Sequence, residues 1–117
     1  MSPIDPKKME HCAHVCHECQ DACLRTIVHC LDLGGEHAAR EHQVMLMDCA
    51  AICQLSHNFL HRHSSHHKLT CAACAEVCRA CAEGCEKLGK EDYTMSECAA
   101  VCRRCAESCD RMASETL

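Results

Sequence analysis

The sequence predicts an all-α protein, an antiparallel up-down-up-down four-helix bundle with a cysteine-lined core, and three observations carry that prediction. Sixteen cysteines in 117 residues recur at helical spacing. Beyond Pro6 there is no proline. Glycine occurs only at Gly34, Gly35, Gly84 and Gly89, which leaves room for long uninterrupted helices. A chain of this length is expected to form one domain over residues 1–117.

The first helix is expected over 6–33, because Asp5 followed by Pro6 is an N-cap and first-turn signal and the Gly34, Gly35 pair ends a helix. The second is expected over 36–63, broken by Ser64 and Ser65. The third runs over 66–88 and is closed by Leu88 and Gly89. The fourth covers 94–114, with Thr94 and Glu97 at capping-box spacing.

Each helix carries one copy of an internal repeat, CAxVCxxCxxxC. Residues 74–85, CAEVCRACAEGC, and 98–109, CAAVCRRCAESC, differ only at the third, seventh and eleventh positions. Residues 12–23, CAHVCHECQDAC, keep the same frame. Residues 49–60, CAAICQLSHNFL, begin it and then place Ser56 and Leu60 where the third and fourth cysteines belong. The 4, 3, 4 spacing is the a and d seam of a heptad, so the thiols of one helix lie on one stripe. Cys30 extends the first stripe and Cys71 precedes the third. Short connections make successive helices antiparallel, and four buried seams then meet along the bundle axis.

Composition says what fills that axis. Aromatic residues are limited to Phe59 and Tyr93, and large aliphatics are too few for an ordinary core. In a secreted protein so many cysteines suggest a disulfide scaffold. The opening MSPIDPKKMEHC lacks the apolar run of an export signal, and no stretch nears the roughly 20 apolar residues of a membrane span. A cytoplasmic location without membrane contact is therefore expected, and there the same count points to metal. With 12 basic against 17 acidic residues and only Arg103 and Arg104 clustered, no nucleic-acid partner is expected.

Residues i and i+4 on a helix hold their Cβ atoms about 5 to 6 Å apart, too far for a disulfide, which needs roughly 3.5 to 4.5 Å. Two such sulfurs grip one soft ion instead, and soft thiolates select Cu(I). Charge separates the metals further. Cu(I) replacing a thiol proton leaves a buried core neutral, whereas a tetrathiolate zinc site carries a net charge of about −2 by counting ligands, and several stacked in one core repel. Bridging thiolates give about one Cu(I) per cysteine, on the order of sixteen per chain.

The expected metal ligands are Cys12, Cys16, Cys19, Cys23, Cys30, Cys49, Cys53, Cys71, Cys74, Cys78, Cys81, Cys85, Cys98, Cys102, Cys105 and Cys109, joined by His42, Met45 and Met95. A free cysteine is usually a small buried hydrophobe, but all-thiol layers pack worse than leucine layers, so sixteen aligned thiols argue for ligation. CxxxCxxC is also an iron–sulfur spacing of radical SAM enzymes, yet three helical copies in a chain too short for a barrel of about 200 residues or more argue against that chemistry. No nucleophile with an orienting base is visible, so no enzyme is expected. A general metallothionein-like thiolate sink for zinc or cadmium is the alternative to a copper store.

At these residues the sequence resembles the bacterial four-helix-bundle copper storage proteins, in their cytosolic form without an export signal, over residues 6–114. The likeness rests on the CAxVCxxCxxxC helices and on His37, His42, Met45 and Met47 ahead of the cysteines of the second helix. It implies many Cu(I) ions held in a bundle core, and a homotetramer of bundles. Ser56 and Leu60 depart from an evenly loaded core.

His42 lies one heptad before Cys49, and Met95 precedes Cys98, so the end holding Cys30, Cys49, Cys85 and Cys98 is the expected copper entrance. Leu60 and Met112 are expected to plug the opposite end. His11, His14, His17, His61, His63, His66 and His67 gather there and suggest a weak surface site for Cu(II), zinc or nickel. Apolar stripes at Leu24, Ile27, Val28 and Leu31, and at Ile52, Leu55 and Phe59, suggest a subunit interface through the first two helices.

Overall fold

A computed structural model describes residues 5–115. Met1 to Ile4, Thr116 and Leu117, which the single-domain expectation includes, lie outside the described residues. Four α-helices follow one another: α1 (Pro6–Leu33), α2 (Arg40–His61), α3 (His67–Leu88) and α4 (Tyr93–Ser114). No strand occurs among the described residues. α1 packs on α2 and α4, and α3 on the same two helices, giving a square, antiparallel rod of 52 × 19 × 19 Å. The up-down-up-down bundle is thus the observed architecture.

Local chemistry sets the ends. The Asp5 side chain accepts a hydrogen bond from the Lys7 amide at 2.9 Å with Pro6 in the first turn, and Gly34 leaves α1 at φ 74°, a conformation that costs glycine nothing. The second helix starts later than expected because Gly35–Ala38 form one turn of 3-10 helix and Ala39 is extended. It stops at His61, where His63 takes φ 56° and the Ser64 amide donates back to the Phe59 carbonyl, a Schellman closure. The expected Thr94 cap is corrected: Asp92 caps α4 by accepting from the Met95 amide at 2.9 Å, two residues ahead of the capping-box reading. Gly89 lets α3 and α4 meet closely, since a Cβ there would lie 2.3 Å from the Met95 Cβ.

All sixteen cysteines are buried, none more than 1 % exposed. The alanines that follow cysteine in the repeat, among them Ala75, Ala82, Ala99 and Ala106, are buried beside the seam. Their small side chains let the helix axes approach until sulfurs on facing helices touch. Leu46, Leu60 and Met95 are the largest fully buried side chains, and they sit toward the two ends of the thiol column. Burying each contributes about 1.5 to 3 kcal/mol. The apolar anchors therefore lie at the ends, and the middle is sulfur.

Candidate metal centre

The seam positions of facing helices bring thiols together across the whole middle of the bundle. Sulfur–sulfur separations include 3.5 Å for Cys16 and Cys109, 3.7 Å for Cys19 and Cys102, 3.7 Å for Cys49 and Cys78, and 3.6 Å for Cys53 and Cys78. Cys19 also reaches Cys78 across the diagonal at 4.0 Å. These are contacts, far longer than the roughly 2.05 Å of a disulfide, and every cysteine is free.

The thiols fall into five groups whose sulfurs lie within 4.8 Å of one another, and consecutive groups share members. Cys12, Cys71 and Cys109 form the first, and Cys109 carries over to Cys16, Cys74 and Cys105. Cys105 then joins Cys19, Cys53 and Cys78, and Cys19 joins Cys23, Cys49 and Cys102. Cys23 and Cys102 pass on to Cys81 and Cys98. Three sulfurs about 2.3 Å from one ion stand about 4.0 Å apart, so the observed spacings suit ligation with little movement. Shared sulfurs are what bridging thiolates require, and isolated tetrathiolate sites have no use for them.

Two cysteines stand outside these groups. Cys85 is held protonated by the neighbouring thiols of Cys81 and Cys98 and by burial. The Cys30 sulfur lies 3.3 Å from the Met95 sulfur and 3.5 Å from His42 Nε2. Burial, the Asp92 carboxylate and Cys98 push the Cys30 thiol up to about 11. Burial lowers His42, and the charge of His37 adds to it, so the imidazole is biased to the neutral form that ligates metal. Asp92 fastens this end: it accepts from His29 Nε2 at 2.8 Å while capping α4, and these contacts hold its carboxyl below the usual range.

The structure places the other expected residues differently. Met45 packs against Gly84 of α3, on the outer face between α2 and α3 beside Asp48 and Val77. Met47 is exposed, and the His37 carbonyl accepts from Gln43. Leu46 and Thr26, both fully buried, occupy the seam register between the thiol groups and Cys30. That register was legible, since 42, 46, 49 and 53 keep the 4, 3, 4 spacing, but Leu46, unlike His42 and the cysteines, carried no chemical signal. At the far end Ser56 is buried with its hydroxyl 3.6 Å from the Cys71 sulfur, in the place of the missing thiol. His14, His17 and His61 line one groove with His57, which the sequence grouping omitted. His67 leaves the surface group altogether, being buried.

No helix is long and apolar enough to cross a membrane among the described residues. A protein-family profile described as copper storage protein matches residues 5–114. None of the curated proteins matches the sequence. Among solved structures, a protein from Nitrosospira multiformis is 41% identical, covering 94% of this chain and 98% of its own, with a TM-score of 0.87. The Cu(I)-bound copper storage protein BsCsp3, of Bacillus subtilis, is 32% identical over 92% of this chain and 99% of its own, with a TM-score of 0.84. A cytosolic copper storage protein from Streptomyces lividans, carrying five coppers, is 27% identical over 97% of this chain and 98% of its own, with a TM-score of 0.86. With the profile spanning all four thiol-bearing helices, the chain belongs to the copper storage protein family.

Proposed function

We propose that the protein stores and buffers Cu(I) in the cytosol, with residues 1–117 acting as one storage domain whose core is the metal site. The observation that carries this reading is the sharing of thiols between consecutive groups, which supports many bridged monovalent ions in one neutral core. Each Cu(I) displaces a thiol proton, so filling adds no net charge to the interior. All sixteen cysteines serve as ligands. His42 and Met95 with Cys30 form the entrance, where neutral nitrogen and thioether hold an arriving ion without trapping it in a thiolate pair. Met45, away from that trio, plays a supporting part at the same end. Leu24, Val28, Leu31 and Leu55 are exposed on the outer faces of α1 and α2 and support assembly through those helices into a homotetramer.

Anaerobic Cu(I) titration against a competing chelator, read by native mass spectrometry, tests the store. On the order of sixteen ions per chain are expected. Saturation at one or two coppers, or retention of zinc or cadmium in preference to Cu(I), overturns the reading in favour of a general thiolate sink.

A further inference from the structure

The end of the bundle that holds the chain termini is closed by Met9, Leu60, His67 and Met112, all buried. Their register follows from the layer beneath. Cys12 meets Cys109 at 3.8 Å, so one turn outward Met9 stands level with Met112. Ser56 meets Cys71 at 3.6 Å, so one turn outward Leu60 stands level with His67. Three of these four closing residues carry soft or borderline metal donors.

His67 is the informative one. Its Nδ1 lies 2.9 Å from the Ser64 carbonyl oxygen. A carbonyl only accepts, so the Nδ1 hydrogen donates and the neutral ring presents a bare Nε2. That Nε2 is buried and has no hydrogen-bond partner, in a residue 6% exposed. A buried polar atom left unsatisfied costs about 1 to 3 kcal/mol, which an ion bound at Nε2 relieves. A backbone carbonyl fixing the other ring nitrogen is also the usual support of a metal-bound histidine.

We propose that His67 Nε2 and the Cys71 thiolate, one helical turn apart, hold a terminal Cu(I) ion at this closed end, with the thioethers of Met9 or Met112 completing its coordination. The proposal rests on the Cu(I) store above and adds a nitrogen-ligated position to it. Chemistry accounts for its location. Serine at position 56 removes one thiolate from the layer of Cys12, Cys71 and Cys109, and a hydroxyl is a poor donor to soft Cu(I). The imidazole restores a donor without adding charge, so the ion and one thiolate form a neutral pair. An open groove of about 550 Å³ lined by Lys7, His11 and Met112 meets the closing residues at Met112.

The test uses the full chain labelled with nitrogen-15 in its histidines and loaded anaerobically with Cu(I). On saturation the His67 Nε2 resonance is expected to leave its free-nitrogen position, and His67→Leu is expected to saturate one ion below the parent with unchanged helical circular dichroism. An unmoved His67 resonance in the saturated parent overturns the inference, whether or not the variant folds. So does a folded variant that takes up the parental number of ions. If the parent itself takes up no more than one or two coppers, the storage reading fails instead, which keeps the two failures distinguishable.

Discussion

Ser56→Cys adds a fourth thiol to the layer of Cys12, Cys71 and Cys109, and counting ions then checks the neutral-core argument directly. Ser56 is fully buried, with its hydroxyl 3.6 Å from the Cys71 sulfur, and Cys12, Cys71 and Cys109 already lie within 4.8 Å of one another. The side chains have nearly the same shape, so the change in apo stability should stay below about 1.5 kcal/mol. If each thiol exchanges its proton for one Cu(I), capacity rises by one ion and proton release on loading by one equivalent. Native mass spectrometry gives the first number and a pH-stat titration under nitrogen gives the second. A variant that shows its extra thiol by chemical assay, yet binds the parental number of coppers, refutes one-for-one exchange. A gain of one ion without the extra proton refutes neutrality.

Two further expectations concern the opposite end. Replacing His42 and Met95 together by Leu removes both neutral donors from Cys30, so stopped-flow loading from a Cu(I) chelator should slow about tenfold or more, on the order of the effect of losing a metal-orienting contact, while final capacity stays within one ion of the parent. Parental loading, with slowing instead in His61, His63 and Met112 variants, assigns the mouth to the other end. Asp92→Ala should cost the apo protein about 0.5 to 2 kcal/mol through the lost cap, whereas Asp92→Asn keeps a capping oxygen and removes only the charge. Because the folded carboxyl lies below its ordinary value, its charge stabilises the fold above the unfolded value near 3.9, and that share is lost as pH falls through the folded one. The gap between parent and Asp92→Asn in denaturant melts should therefore close below about pH 3.9, and a gap constant down to pH 2 contradicts the linkage.

The repeat made the bundle legible, because cysteine at 4, 3, 4 spacing marks both the helix and the face it buries. His42, Met95, Leu60 and Met112 were read as continuing the seam, and all four are buried, whereas three other continuations escaped. Thr26 and Leu46 keep the register between the thiol groups and Cys30, and both are buried. His67 keeps it before Cys71, yet among eleven histidines in the sequence its spacing looked like surface composition. Met45 fell one residue from the seam, and on a helix one residue turns a side chain by about 100°, which carried it to the groove against Gly84. The α4 boundary was misread for a similar reason. Asp92 and Thr94 both suit an N-cap, and only the tertiary contact of Asp92 with His29 chooses between them.

Placing the metal site in the core ties stability to filling. In the apo state sulfur packs as a small apolar group, and the larger side chains at the ends, Leu46, Leu60 and Met95, hold the helices together without metal. Ions that bind only the folded arrangement then add to stability, each by about 2.7 kcal/mol at a free concentration a hundred times its dissociation constant. Emptying the store withdraws those increments one at a time, down to the stability set by the end layers and the alanine-lined helix contacts. Release without unfolding is therefore expected, because the apolar end layers and the alanine contacts beside the thiols do not depend on metal.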